Sequence, residues 1–394
     1  MTDDVLAWLQ MLNPALLARV VQQDQRCDDF EIASWSVERL KGNGTTNPDG
    51  LWLFQGSGGP RRGELLFRGP APNGRDERPW SLVLKILIRP ENEQPPSDLW
   101  YWQRELLVAQ SGLAARLPGP VKAPRFYRLD SQPESWLWME HIQDVRPGPW
   151  TLESFKFAAR ELGRWNGALV LAGPPPDEPW LARQHYRTWL NQVDPERHWS
   201  FPLLLKHVSA ELRARWDQLW SERDEFFGVL EALPQVFCHA DAQRRNLAIR
   251  PVRDQAAELV VLDWGNCGLA PLGVEMSMLV FGNLVLGEWP SAAARELDTA
   301  AFAAYVAGLK DAGWQGEAAT VRLAYLAWLA VFLGLVMPAG VHDFCRPETR
   351  DFCLRSFGLA EEELFRHWLG AMAFALDCAD EARRLMAGQG YRQA

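Results

Sequence analysis

Two short apolar runs flanking a polar loop constrain this chain most. Val236-Phe-Cys-His-Ala-Asp-Ala-Gln-Arg-Arg-Asn-Leu-Ala-Ile-Arg250 is followed by Glu258-Leu-Val-Val-Leu-Asp-Trp-Gly265. Apolar runs of this length, broken by polar residues, read as strand, loop, strand, with Asn246–Arg250 and Glu258–Asp263 forming a hairpin. The loop holds an acid, Asp241, and an amide five residues on, Asn246; a second acid, Asp263, closes the next strand seventeen residues later. Phosphoryl transfer from a nucleotide needs such groups. One carboxylate orients and deprotonates an attacking hydroxyl, while an amide oxygen and a second carboxylate hold the metal that neutralises the phosphates.

These residues, His239-x-Asp241-x-x-x-x-Asn246 and Asp263-x-Gly265, resemble the aminoglycoside phosphotransferase and choline kinase branch of the protein-kinase-like fold. The resemblance implies an α+β, two-lobed architecture: a small antiparallel β-sheet N-lobe and a larger, mainly helical C-lobe. It implies an ATP- and Mg2+-dependent kinase of a small hydroxylated molecule. Asp241 would be the catalytic base, Asn246 and Asp263 the magnesium ligands, and His239 a structural histidine bracing the loop.

Such a fold needs a lysine on an upstream strand and a glutamate on the next helix to hold it. Ser81-Leu-Val-Leu-Lys-Ile-Leu-Ile88 reads as a strand carrying Lys85, and a buried ammonium calls for a partner. Pro95-Pro-Ser-Asp98 is expected to open a helix with Leu99, Trp102, Leu106 and Ala109 on one face and Glu105 beside them. Glu134 to Ile142 reads as a strand running into a Pro/Gly linker, which fits a hinge. By resemblance the adenine contacts fall near the Glu140 carbonyl and the Ile142 amide, with Met139 behind the pocket. Between two further strands, Glu31–Leu40 and Gly50–Gly56, lies Lys41-Gly-Asn-Gly-Thr. Gly42 and Gly44 would let backbone amides approach phosphates, and an ordinary hairpin turn is an equal reading of the same residues.

The expected domains are an N-terminal helical extension over 1–30, a strand-rich nucleotide-binding lobe over 31–144, and a helical lobe over 145–394 with the catalytic loop and acceptor site. Thr151 is expected to cap a long amphipathic helix. The net charge of −9 argues against a nucleic-acid surface and is compatible with a cationic acceptor. Six scattered cysteines show no zinc spacing and fit a reducing compartment. The first residues, Met-Thr-Asp-Asp, carry acids where a signal peptide would carry bases, so a cytoplasmic protein is expected. Leu323–Val341 is uncharged over nineteen residues, and it is expected to be a buried core helix rather than a membrane span.

After Asp263-Trp-Gly265 many relatives show Gly-Asp-Pro and a later aspartate that helps anchor the segment; here Glu275 is the candidate to take that acid's place. Glu275 and Asp343 are also candidates to line an acceptor pocket. Two other readings compete: a catalytically weak nucleotide-binding protein on the same scaffold, and a metal-dependent hydrolase built on His239 and Asp241 with His342 and Asp343.

Overall fold

The computed structural model describes residues 12–40, 50–60, 77–127, 135–144, 148–252 and 257–388. The chain divides into two compact units. The first comprises Met1–Glu93, Leu106–Ala115 and Ala123–Gln143; the second comprises Gln94–Glu105, Arg116–Lys122 and Asp144–Ala394.

The first unit is an antiparallel sheet with a helix on one face. Helix α1 (Pro14–Gln25) starts at Asn13, whose side chain accepts from Ala15 N, with Pro14 at the first position. Leu17, Val20 and Val21 fall at helical spacing and are fully buried. Each contributes about 2 kcal/mol on burial, against about 1 kcal/mol for the cap, so the apolar face holds the helix. It packs on β1 (Phe30–Arg39), β2 (Leu51–Pro60), β3 (Arg78–Ile86), β4 (Phe126–Tyr127) and β5 (Trp136–Glu140), ordered β1-β2-β3-β5-β4. Strand alternation sends Trp80, Leu82 and Leu84 into this core. Ser81, Val83 and Lys85 therefore belong to the opposite face. Lys85 is half-buried and lies opposite Leu51 of β2 and Leu137 of β5.

Helix α2 (Arg104–Ser111) begins later than its apolar pattern suggests. The division between the units falls within it, after Glu105. The Arg104 guanidinium takes the carbonyls of Pro96, Asp98 and Leu99, and Asp98 Oδ1 accepts from Trp100 N. Those carbonyls are committed to a side chain, so the segment wraps around Arg104 instead of turning as a helix.

The second unit is mainly helical. Thr151 caps α3 (Leu152–Leu171) through Ser154 N. After α4 (Ala210–Ala232) come the apolar α5 (Glu275–Val285), α6 (Ala294–Asp311), α7 (Ala318–Phe344) and α8 (Glu361–Gly388). Both α5 and α7 contain a π turn, at Met278–Gly282 and Leu329–Gly334. Helix α7 is long and apolar enough to cross a membrane, but 83% of its most apolar stretch is buried inside the unit, as a core helix would be. Asp298 of α6 is 1% exposed; it takes Arg322 and Tyr325 of α7, and Arg322 also pairs with Glu381 of α8. Among the described residues, five short strands complete the unit. β6 (Ala182–Arg183), β10 (Gly268–Pro271) and β7 (Gln235–Cys238) form one sheet, and β8 (Leu247–Arg250) pairs with β9 (Glu258–Val261) as the hairpin.

Helices α3 and α6 meet at glycine. A Cβ at Gly163 would lie 2.1 Å from the Tyr305 carbonyl oxygen, and one at Gly308 2.0 Å from that of Arg160. Gly163→Ala should therefore force the helices apart and lower stability by about 1–3 kcal/mol. Chemical denaturation checks this; an unchanged midpoint would contradict the close approach.

Candidate active site

Strand β7 delivers the 239–246 loop through a backbone conformation that only an outside constraint maintains. Ala240 sits at φ 61°, in the left-handed region, which costs a non-glycine residue on the order of 1 kcal/mol. Glu275, at the start of α5, supplies the constraint: Oε1 accepts His239 N at 2.5 Å and Oε2 accepts Ala240 N at 3.3 Å. Glu275 is 1% exposed, and burial pushes its carboxyl up to about 7 despite those two hydrogen bonds. His239 is fully buried, accepts Asp241 N on Nδ1, and sets its ring at right angles to Trp264, 5.0 Å away.

Asp241 and Asn246 are in contact. Asn246 Nδ2 donates to Asp241 Oδ2 at 2.8 Å and to its carbonyl at 3.1 Å, which turns the amide oxygen of Asn246 away from the acid. Asn266 Nδ2 reaches the same Oδ2 at 3.3 Å. Desolvation holds the Asp241 carboxyl well above the usual range, the neighbouring Asp263 carboxylate adds to this, and the Asn246 and Asn266 amides oppose it. Asp263 is exposed and, at φ 57°, is the second left-handed residue of the site. Two neighbours fix the turn after it. Glu105 Oε1 accepts Trp264 N at 3.3 Å, and Arg104 Nη1 donates to the Gly265 carbonyl at 2.7 Å. His185 Nε2 donates to the Asn266 carbonyl at 2.8 Å; burial drives that imidazole down to about 4, so it is neutral. Asp241, Asn246 and Asp263 offer only oxygen donors to a metal, a donor type suited to magnesium and unsuited to zinc.

Further side chains brace the loop, and sequence reasoning missed them. Arg244 Nη2 pairs with Asp144 at 2.8 Å, and its guanidinium lies over the Trp150 ring at 4.7 Å. Arg245 pairs with Glu288 at 3.0 Å and donates to the carbonyls of Leu286 and Ser356. The two adjacent arginines inside the motif are the sequence signal, and in a sequence they look like an ordinary solvated surface.

A phosphotransferase enzyme family model matches residues 81–319. The chain belongs to that family. No curated protein sequence matches significantly. Similar solved structures include a microcompartment-associated aminopropanol kinase, 14% identical with a TM-score of 0.48, covering 95% of this chain and 99% of that one. Choline kinase from Cryptosporidium parvum is 13% identical with a TM-score of 0.48, covering 96% of each chain. A spectinomycin phosphotransferase bound to ADP and spectinomycin is 13% identical with a TM-score of 0.46, covering 88% and 94%.

Glu140 ends β5, accepts Arg125 N on its carboxylate and donates its own amide to the Arg125 carbonyl; Ile142 follows two residues later. A polar cavity of about 670 Å³ in the first unit is lined by Ser34, Gln55, Ser81, Glu140, His141 and Gln143, among others. Gly42 and Gly44 lie outside the described residues. Glu275 cannot line an acceptor pocket, because both its oxygens are buried against backbone amides. His342 and Asp343 group with His198: the two rings are 5.2 Å apart, and His342 Nδ1 lies 2.8 Å from Asp343 Oδ1. His198 Nδ1 accepts Asp194 N, so in the neutral ring Nε2 carries the proton. That leaves no lone pair for a metal, which weighs against the hydrolase reading.

Glu275 also generates a pH prediction. A carboxyl raised from 4.5 to about 7 in the fold binds more protons folded than unfolded across that interval. Its stabilising contribution is complete below the unfolded value and is lost as pH rises through about 7. Glu275→Gln should flatten the fall of Tm over that window; an identical slope in both proteins would contradict the buried carboxyl.

Proposed function

We propose that this phosphotransferase moves the γ-phosphate of ATP to a hydroxyl of a small polar molecule, in the cytoplasm, with magnesium. The observation that carries this reading is the contact of Asp241 with Asn246, beside Asp263, at the end of an anchored loop. Amides grip Asp241 Oδ2, so Oδ1 is the oxygen available to an acceptor hydroxyl. In the proposed reaction the hydroxyl proton passes to Asp241, the acceptor oxygen bonds to the γ-phosphorus, and the bond from that phosphorus to the β-phosphate oxygen breaks, releasing ADP. The Asn246 amide oxygen and the Asp263 carboxylate would hold magnesium, which supplies neutralisation of phosphate charge. Following the family resemblance, Lys85 is assigned to the nucleotide phosphates, Glu105 to orienting that lysine, and the Glu140–Ile142 backbone to the adenine edge. The net charge of −9 suits a cationic acceptor; of the acids that touch the loop, Asp144 and Glu288 are paired with arginines and Glu275 with backbone amides.

The test is a coupled ATP-consumption assay against amino alcohols, aminoglycosides, nucleosides, sugars and hydroxy-amino acids. With the best acceptor, Asp241→Asn should lower turnover by about 10²–10⁴-fold while nucleotide still binds. Near-normal turnover of that variant, or full wild-type activity in excess EDTA, would refute the assignment.

A further inference from the structure

Helix α5 runs alongside the motif loop and touches it more than once. Glu275 holds the loop where it leaves β7. Eight residues on, Asn283 Oδ1 accepts Arg244 N at 2.9 Å. An unbroken α-helix turns through roughly 800° in eight residues, which would leave position 283 about 80° away from the line of position 275. The π turn at Met278–Gly282 lies between them. It closes on residue i+5 and so absorbs about one extra residue. The remaining seven steps sweep roughly 700°, within about 20° of two full turns. The bulge is therefore what lets one helix face reach the loop at both ends. Gly282, inside it, faces the loop: a Cβ there would make ordinary contact with Gln243 Cβ, at 3.5 Å.

The Asn283 side chain is fully buried and used at both ends. Its Nδ2 donates to the Leu279 carbonyl, within the π turn, at 2.7 Å, which leaves Oδ1 aimed at Arg244 N. Arg244 opens the 3-10 turn that ends at Asn246. Gln243 closes that turn from its other side, accepting Arg245 N on Oε1 and Asn246 N on its carbonyl.

We propose that Asn283, carried onto this face by the π turn, is a positioning residue that fixes the Asn246 end of the loop, as Glu275 fixes the end that leads into Asp241. The role rests on the function proposed above, in which Asn246 holds a divalent cation. Asn283 touches neither nucleotide nor acceptor in that scheme and acts through the backbone of Arg244.

Calorimetric titration of the full-length protein with ADP, with and without Mg2+, tests this without any acceptor. In Asn283→Ala the metal-free affinity for ADP should stay within about twofold of wild type. The tightening produced by Mg2+ should shrink by about tenfold or more, the usual effect of losing a residue that orients a metal ligand. Asp298→Asn, which disturbs the separate buried network of α6, α7 and α8, should leave that tightening intact. An unchanged Mg2+ effect in Asn283→Ala, or an equal loss in Asp298→Asn, would overturn the role. Should Asn283→Ala fail to fold, hydrogen exchange of the Arg244 amide in the wild type decides. Protection like that of α5 itself supports the role, and exchange as fast as an exposed loop amide refutes it. Wild-type ADP binding that ignores Mg2+ would remove the proposed function and this role together.

Discussion

Two consecutive backbone N–H groups, those of His239 and Ala240, converge on the Glu275 carboxylate, and the motif loop takes its shape from that convergence. Without it Ala240 has no reason to remain left-handed, and a relaxed Ala240 would swing Asp241 away from Asn246. Burial raises the Glu275 carboxyl to about 7, so desolvation outweighs the two hydrogen bonds made by its charged form. The unit thus spends a buried acid on backbone geometry. Strained residues persist where the surroundings over-determine them, and both left-handed residues of the site, Ala240 and Asp263, lie beside such constraints.

Guanidinium groups do much of the remaining work. Arg104 donates to the carbonyls of Trp180, Leu99, Gly265, Pro96 and Asp98, a set of neutral acceptors that satisfies a fully buried fork without a carboxylate. Desolvation lowers its pKa from the ordinary arginine value, and an arginine begins so high that it stays charged. Arg244 and Arg245, at adjacent loop positions, pair with Asp144 and Glu288. A lysine offers three donors on a point charge and could not bridge several carbonyls in one plane. Substitution by lysine at these positions is therefore not conservative.

The parts legible in the sequence were those whose signals are local. The strand–loop–strand around Asp241 shows as two apolar runs, the Thr151 cap shows as a threonine before an amphipathic pattern, and Leu323–Val341 shows as a core helix because Tyr325, Trp328, Gly334 and Pro338 interrupt an uncharged run that would otherwise suit a membrane. The α+β, kinase-like architecture follows from the motif and its order along the chain. What stayed hidden depends on partners distant in sequence. The apolar spacing from Leu99 onward imitates a helix, and only the Arg104 guanidinium, by taking carbonyls from that segment, explains why the helix starts at Arg104. Glu275 was visible as an acid in the right place, but its burial was not, so it served equally well as a pocket acid. The π turn in α5 carries no sequence mark, and with it went the pairing of Asn283 with Arg244. His342-Asp343 looked like a partner for His239, yet the fold sets it against His198.

In the proposed function, Asn246 of the anchored loop and Asp263 after β9 act as one metal-holding oxygen pair beside Asp241. Anomalous diffraction from crystals grown with Mn2+ and a non-hydrolysable ATP analogue tests it most directly. An anomalous peak is expected within about 2.0–2.3 Å of the Asn246 amide oxygen and an Asp263 carboxylate oxygen, with the Glu275 bonds to His239 and Ala240 intact. Metal bound instead at His198, His342 and Asp343, with none at Asn246 and Asp263, would contradict it.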